Sequence, residues 1–210
     1  MAKQGILIVV SGFSGAGKGT VMKALLEQYD NYALSISATS RGPRAGETDG
    51  KEYFFKTREE FEKMIAKDEF IEYARYVENY YGTPRAYVEE QLLAGKDVIL
   101  EIEIQGALQV KKKFPETLLL FVTPPDANTL KERLIGRGTE SMEVIEARLK
   151  RAAEEALYMP EYDYLIINDD LQTCVKEMHD IIQSEHARCF RNETMINQIT
   201  NELKAYVKGE

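Results

Sequence analysis

The segment that most restricts the fold of this chain is a glycine-rich loop between a buried strand and a helix. Residues 6–10 are a continuous apolar, mainly β-branched run, which is typical of a strand buried on both faces. Over residues 20–29, apolar side chains recur at helical spacing. Glycines in the loop let several backbone N–H groups turn towards one anion, and the start of the helix adds partial positive charge. The pattern predicts a phosphate-binding loop.

The loop departs in one position from the usual phosphate-binding motif, in which Ser or Thr follows the lysine directly. Here Gly19 follows Lys18, and Thr20 comes one residue later. Because Gly19 has no hydroxyl, we expect no direct protein ligand for Mg²⁺; phosphate oxygens and water would hold the ion, and Glu101 could hold that water. A glycine turn with a surface lysine is the alternative. The predicted loop residues are Gly12, Ser14, Gly15, Ala16, Gly17, Lys18, Gly19 and Thr20.

Strand and helix patterns alternate along most of the chain. Further strands are predicted at residues 97–103, 118–122 and 164–167, and helices at 105–113, 126–135, 142–157 and from about 170. Such alternation predicts an α/β fold, in which helices flank a parallel sheet. Residues 35–90 differ, because short strands such as 53–55 and 70–73 alternate with turns. We interpret 1–34 and 91–210 as a core, with a lid at about 126–158, and 35–90 as an inserted α+β lobe.

Two further groups of charged side chains are candidates for ligand binding. Arg41 and Arg44 flank Pro43 in a turn, and such a pair suits bidentate binding of a second phosphate; a solvated basic turn is the alternative. Glu101 and Glu103 are two apart on the predicted strand 97–103, so both should point to one face at its carboxyl end, where α/β sheets bind ligands. A structural ion pair is the alternative there.

Composition limits the binding partners expected for the chain and indicates its cellular compartment. A formal net charge of −8 disfavours non-specific nucleic-acid binding, and no apolar run is long enough to cross a membrane. Two cysteines outside any CxxC pair favour a reduced, cytoplasmic setting. Near the C-terminus, apolar residues form one helical stripe that either packs on its own domain or makes a homodimer contact; they are Met195, Ile196, Ile199, Leu203 and Val207.

From Gly5 to Ile182 the sequence resembles the guanylate kinase family. The segments that carry the resemblance are SGFSGAGKGT at 11–20, TSRGPRAGE at 39–47, DGKEYFF at 49–55, FIEYA at 70–74, NYYGT at 79–83, LEIEIQG at 100–106, GRGT at 136–139 and NDD at 168–170. The sequence departs from the family pattern at Gly19, and at Phe13, where proline is frequent.

The resemblance implies a P-loop nucleoside monophosphate kinase fold with an inserted lobe and a helical lid. It also implies transfer of phosphate from ATP to GMP, and to dGMP, with Mg²⁺. It assigns the GMP phosphate to Arg41, Arg44, Tyr53 and Tyr81, and the guanine to Ser37, Glu72, Thr83 and Glu103. It assigns Lys18, Arg137 and Arg148 to catalysis, and Arg133, Asn168 and Asp169 to ATP. A carboxylate suits guanine independently, because guanine presents N–H donors where adenine presents an acceptor.

Two other functions remain open at this point. One is a non-catalytic guanylate-kinase-like binding module, as in membrane-associated scaffold proteins; such modules typically lack an intact phosphate loop, so the complete loop here disfavours it. The other is a related kinase for a different acceptor, such as a ribose phosphate. The combination of Tyr53, Tyr81 and Glu72 favours a guanine nucleotide instead.

Overall fold

The computed structural model describes residues 4–76, 78–136, 138 and 140–208. The strands are β1 (Leu7–Gly12), β2 (Tyr32–Leu34), β3 (Ala38–Thr39), β4 (Phe54–Phe55), β5 (Phe70–Tyr76), β6 (Asn79–Pro84), β7 (Asp97–Glu101), β8 (Leu118–Thr123) and β9 (Tyr164–Ile167). The helices are α1 (Lys18–Gln28), α2 (Arg58–Ala66), α3 (Arg85–Leu93), α4 (Ile104–Lys113), α5 (Ala127–Gly136), α6 (Met142–Ala156), α7 (Leu171–Glu185) and α8 (Glu193–Lys208).

Five strands form a parallel sheet in the order β2-β7-β1-β8-β9. The central strand β1 pairs with β7 on one side and β8 on the other, which buries Ile8, Val9 and Val10 completely. One apolar cluster joins the sheet to α1 and α7, and another joins it to α3 and α4. The predicted α/β architecture is therefore confirmed, and the unbroken apolar pattern of the first strand is explained by burial on both faces.

The segment between β2 and α3 forms a second sheet, in the order β4-β3-β6-β5. Strand β3 is parallel to β4 and antiparallel to β6, and β6 is antiparallel to β5. Helix α2 covers it through Phe61, which is fully buried and stacks on Phe70 with ring centroids 4.4 Å apart. Thr57 and Glu60 form a capping box that fixes where α2 begins. The sequence prediction of short strands near 53–55 and 70–73 agrees with β4 and β5.

The prediction that Glu101 and Glu103 share one strand is wrong. Strand β7 ends at Glu101, and Glu103 is the residue before the first turn of α4, with extended backbone angles. Ile102 between them belongs to neither element, and its carbonyl accepts a hydrogen bond from the hydroxyl of Ser11 at 2.7 Å. The two carboxylates therefore belong to different elements, and the alternation argument does not apply to them.

The C-terminal stripe is exposed, so the expectation that it packs on its own domain is also wrong. Leu203 of α8 is 59% exposed and Ile199 is 45% exposed, and no side chain of α8 is part of the described apolar clusters. The chain before it is firmly attached, because His186 hydrogen-bonds the buried Asp97 at 2.8 Å. None of the helices among the described residues combines the length and apolar character needed to span a bilayer.

Candidate active site

The phosphate loop lies at the carboxyl edge of the main sheet, between β1 and α1. This is the place where strand order reverses around β1, since β7 lies on one side and β8 on the other. Lys18 begins α1, and its Nζ donates to the carbonyl of Gly12 at 2.6 Å and to that of Phe13 at 3.3 Å. The lysine ammonium thus lies over the concave side of the loop, where the N-terminus of α1 favours negative charge.

Two loop glycines occupy positions that a side chain could not. Gly12 has φ 152°, and a Cβ there would lie 2.0 Å from the carbonyl oxygen of Val122 in β8. Gly17 has φ 89° and caps α1, and a Cβ there would lie 2.5 Å from the Asn168 side-chain nitrogen. These contacts explain why the loop needs glycine at both positions. By contrast, a Cβ at Gly19 would meet nothing within 4 Å.

Three of the side chains assigned to ATP or catalysis contact the loop directly. Asn168, which follows β9, donates to the carbonyl of Ala16 at 2.8 Å, and Arg133 of α5 donates to the same oxygen at 3.4 Å. Arg148 of α6 donates to the hydroxyl of Ser14. Helices α5 and α6, which the sequence analysis placed in a lid, therefore carry arginines to the loop where the phosphates of a nucleotide are expected.

Around the second sheet, the structure brings together the residues assigned to a second phosphate. The guanidinium carbon of Arg41 lies 5.4 Å from the centre of the Tyr53 ring, and the rings of Tyr53 and Tyr81 are 6.0 Å apart. Arg44 is exposed on the same loop. We call Arg41, Arg44, Tyr53 and Tyr81 the acceptor clamp. Two arginines and two phenol hydroxyls are a donor set that suits a phosphate dianion.

A buried carboxylate lies on the neighbouring strand of the same sheet. Glu72 of β5 is 9% exposed and accepts a hydrogen bond from the hydroxyl of Thr83 in β6 at 2.7 Å. Burial raises the pKa of Glu72, and the hydrogen bonds from Thr83 oppose that shift. Helix α4 approaches so closely that a Cβ on Gly106 would lie 3.4 Å from a Glu72 carboxylate oxygen. A carboxylate held in a pocket of this kind can accept hydrogen bonds from a flat donor edge.

Comparison with known proteins agrees with this geometry. A family model described as guanylate kinase matches residues 4–185. The chain belongs to the guanylate kinase family. A guanylate kinase of Streptococcus thermophilus strain CNRZ 1066 is 52% identical over 204 residues, which are 97% of this chain and 96% of that protein. A guanylate kinase of Caldanaerobacter subterraneus subsp. tengcongensis is 52% identical over 200 residues, which are 95% of this chain and 97% of that protein.

A solved structure extends the similarity to three dimensions. The crystal structure of guanylate kinase from Anaplasma phagocytophilum superposes with a TM-score of 0.70 at 32% identity and covers 90% of both chains. Within the guanylate kinase family, the parallel sheet, the phosphate loop and the flanking helices make this chain a P-loop kinase fold. The fold and family expected from the sequence are confirmed.

Four other predicted site residues remain to be placed, and one of them lies outside the described residues. Glu103 is ion-paired with Arg151 of α6 at 2.5 Å and its side chain is 76% exposed. Asp169 is exposed directly after Asn168. Ser37 is half-buried and accepts a hydrogen bond through its carbonyl from the Phe54 amide. Arg137, assigned to catalysis, lies outside the described residues.

Two carboxylates beside the predicted site, those of Glu47 and Glu140, were not predicted from the sequence. Glu47 accepts two hydrogen bonds from the guanidinium of Arg41. Glu140 accepts one from Arg148. A signal was present for the first of these, because Glu47 ends the same segment, 39–47, that supplies both arginines of the acceptor clamp. Spacing alone does not show which nearby carboxylate turns back onto an arginine, since that depends on the shape of the loop.

Proposed function

We propose that this chain transfers the γ-phosphoryl group of ATP to GMP, with dGMP as a second acceptor, and releases ADP and GDP. One observation carries the proposal: a single chain combines an intact phosphate loop with a separate acceptor clamp next to a buried carboxylate. A phosphate loop alone would fit any nucleotide hydrolase. A second phosphate site beside a purine-reading carboxylate requires a phosphorylated guanine compound as the acceptor.

The acceptor is recognised at two points. The acceptor clamp binds the GMP phosphate, and Glu72 binds the N1–H and N2–H donors of guanine, while the Thr83 hydroxyl keeps the carboxylate in place. Adenine would present the lone pair of its N1 to the same carboxylate, which would leave a buried charge poorly paired. Ser37 and Glu103 are assigned to the guanine by resemblance, and the observed pairing of Glu103 with Arg151 means that this ion pair would have to open.

Catalysis in this proposal consists of positioning and charge neutralisation. An oxygen of the GMP phosphate attacks the γ-phosphorus of ATP, and the bond from that phosphorus to the β–γ bridging oxygen breaks. Lys18 and the loop amides bind the β- and γ-phosphates. Arg148 and Arg137 offset negative charge on the group in transfer, and Arg133, Asn168 and Asp169 bind the ATP side.

The residues at the sheet edge fit a Mg²⁺ ion that is bound indirectly. Gly19 offers no hydroxyl, whereas the exposed carboxylate of Glu101 lies at the carboxyl end of β7, whose register pairs it with Val10 just before the loop. Oxygen ligands and retained water suit Mg²⁺. When bound, the ion supplies positive charge to the β- and γ-phosphates. Glu101 would hold a water molecule bound to the ion. Among the described residues, no group of three or more His, Cys, Asp or Glu side chains could bind a metal directly.

We further propose a division of labour within the chain. Residues 35–90 form the acceptor lobe, residues 126–158 form the lid, and the remainder forms the core. Both described cysteines are free thiols, which fits the cytoplasm.

A homodimer through α8 would cover the exposed apolar stripe. Glu193 lies at one end of this helix and Lys204 near the other, so antiparallel pairing of two copies brings opposite charges together.

The proposal is tested by a coupled assay of ADP release with ATP and Mg²⁺ and a panel of acceptors: GMP, dGMP, AMP, UMP and ribose phosphates. We expect turnover with GMP, a lower rate with dGMP, and little with the others. Hydrolysis of ATP without an acceptor is measured in parallel as the control. Turnover only with a ribose phosphate would contradict the proposal in favour of the related kinase, and ATP binding without any turnover would favour a non-catalytic module.

A further inference from the structure

The carboxylate of Glu47 is built into the acceptor clamp. Its two oxygens accept from Nη1 and Nη2 of Arg41, each at 2.9 Å, which is a bidentate, end-on pair. One of these oxygens also accepts from the backbone N–H of Arg44 at 2.7 Å, and the Glu47 N–H donates to the carbonyl of Arg44 at 3.1 Å. Glu47 therefore joins the side chain of one clamp arginine to the backbone of the other.

These bonds decide which edge of the Arg41 guanidinium remains for a ligand. A guanidinium has five N–H donors. Glu47 takes one from Nη1 and one from Nη2, and the carbonyl of Gly42 takes the second from Nη1 at 2.7 Å. The donors that neither Glu47 nor Gly42 takes are the Nε–H and the second Nη2–H, which lie side by side and form the other bidentate edge of the group. That edge matches two oxygens of a phosphate. The hydrogen bonds with Glu47 raise the pKa of Arg41, and a hydrogen bond with Tyr81, another member of the acceptor clamp, also raises it.

The surroundings indicate that the pair persists when a ligand binds. The side chains of Arg41 and Glu47 are only 14% and 18% exposed, and the rings of Tyr53 and Phe55 lie 5.4 and 5.8 Å from the guanidinium carbon. Moving Arg41 away would leave the shielded carboxylate of Glu47 without its guanidinium partner, which is costly. Arg41 also lowers the pKa of Glu47, with help from the Arg44 backbone, so the carboxylate stays ionised below the usual glutamate range.

We propose that Glu47 is a positioning residue of the acceptor clamp: it fixes Arg41 end-on, so that the Nε–Nη2 edge is held ready for the acceptor phosphate. This inference rests on the proposed function, because it takes the phosphate of GMP as the ligand. An opposite role is conceivable for a carboxylate in such a place, namely competition with the phosphate for Arg41. The two roles predict opposite signs. Removing the charge of Glu47 weakens GMP binding if it positions Arg41, and strengthens it if it competes.

The test compares E47Q with the wild type by steady-state kinetics, varying GMP and ATP separately. Glutamine keeps the size of the side chain but offers one acceptor in place of two. We expect KM for GMP to rise about 10- to 100-fold, the range seen when residues that orient a ligand-holding side chain are replaced, while KM for ATP stays within about 2-fold. The matched control is E52Q, because Glu52 lies in the same loop and is exposed, and its carboxylate accepts a hydrogen bond from the Thr48 amide, away from both clamp arginines in sequence.

A double-mutant cycle separates positioning from a general role in folding the loop. If Glu47 acts through Arg41, E47Q should change kcat/KM for GMP by less than about 2-fold in the R41A background. A loop-folding role would instead add the same loss in both backgrounds. Thermal melting checks each variant, and if E47Q does not fold, E47D takes its place in both comparisons, since it keeps the charge at a shorter reach.

The results for the E47Q variant can be distinguished from those that test the proposed function. An unchanged or lowered KM for GMP in E47Q overturns the positioning role, as does an equal rise in both KM values or an undiminished effect in R41A. In each of these cases wild-type turnover of GMP still supports the kinase. If the wild type does not phosphorylate GMP at all, the proposed function fails and the assignment of Glu47 fails with it.

Discussion

Lys18 is the residue whose replacement tests the phosphate loop most directly. Its ammonium contacts the Gly12 and Phe13 carbonyls and lies outside the apolar clusters of the core. K18A should therefore abolish turnover with little change in the melting temperature. Retention of more than about a tenth of kcat, a barrier change under about 1.4 kcal/mol, would contradict a catalytic role. The matched control is K23A, because Lys23 lies on the same helix, is 78% exposed and is paired with Glu27.

Glu72 should decide between guanine and adenine. E72Q keeps one acceptor but turns an NH₂ group towards the donors of guanine. We expect the ratio of kcat/KM for GMP to that for AMP to fall by an amount equivalent to about 1.5–3 kcal/mol, the range for a hydrogen bond to a charged group. The control is E69Q, three residues earlier and exposed. If the ratio is unchanged, the role of base reader passes to Glu103.

The same carboxylate should leave a signature in the pH dependence of stability. Burial raises the pKa of Glu72 in the folded protein, so the folded state binds its proton more readily than the unfolded chain does. The free energy of unfolding of the wild type, taken relative to that of E72Q, should therefore rise as the pH falls from neutrality towards the ordinary glutamate pKa of about 4.3. Urea unfolding of both proteins across this range measures it. A difference that is constant with pH would show that folding does not raise the pKa of Glu72.

At the scale of elements, helix α8 carries the prediction about assembly. Its apolar stripe is exposed, and the exposed fraction is 59% at Leu203 and reaches 88% at Val207. L203D should shift the protein from dimer to monomer, because a charge in the centre of the stripe would be buried without a partner. N201D, on the opposite face, should leave the dimer intact. Sedimentation velocity at several micromolar concentrations measures both, and a wild type that sediments as a monomer throughout contradicts the dimer.

Elements with a strong internal pattern could be predicted from the sequence. The end of a strand could not be predicted where it depends on a contact with a distant residue. The unbroken apolar run of β8 and the helix starts near residues 126 and 170 are visible along the chain, and in the structure Asp126 and Asp170 accept hydrogen bonds from the first-turn amides of α5 and α7. The predicted strand continues to Glu103 because polar and apolar residues still alternate there, whereas the observed strand ends at Glu101 and the Ser11 hydroxyl donates to the carbonyl of Ile102.

The candidate site divides in the same way. Local motifs identified the loop glycines and both clamp arginines, since neighbours in sequence remain neighbours in space. The assignment of Arg133 and Asn168 to ATP came only from family resemblance, and their shared contact with the carbonyl of Ala16 was not predicted, because it joins residues more than a hundred positions apart. The pairing of Glu47 with Arg41 depends on the conformation of the loop between them, and the spacing of residues in the sequence does not predict that conformation.

For the whole molecule we predict closure when both nucleotides bind. Two polyanions must be brought together and shielded from water, otherwise ATP would be hydrolysed. Fluorophores on cysteines introduced at Lys51 in the acceptor lobe and Glu143 in the lid, both exposed, should approach each other when a bisubstrate analogue binds. Cys189 is exposed and must first be changed to serine, whereas Cys174 is buried.

Either nucleotide alone serves as the control for this measurement and should produce a smaller change than the bisubstrate analogue. An inter-dye distance that is the same, within error, for the ligand-free and the doubly occupied protein would contradict closure.

The pairing of β2 with β7 has a consequence for how enzymes of this architecture can diversify. Strand β2 ends at Leu34, and residues 35–84, which carry the second sheet, lie between it and α3, whose Val88 packs against the main sheet. The entropy of closing such a loop grows only with the logarithm of its length, so doubling it costs about 0.6 kcal/mol. The intervening segment can therefore lengthen, shorten or be exchanged over generations at little thermodynamic cost to the sheet that carries the phosphate loop. New acceptors can thus be explored while the ATP-binding half of the molecule keeps its register.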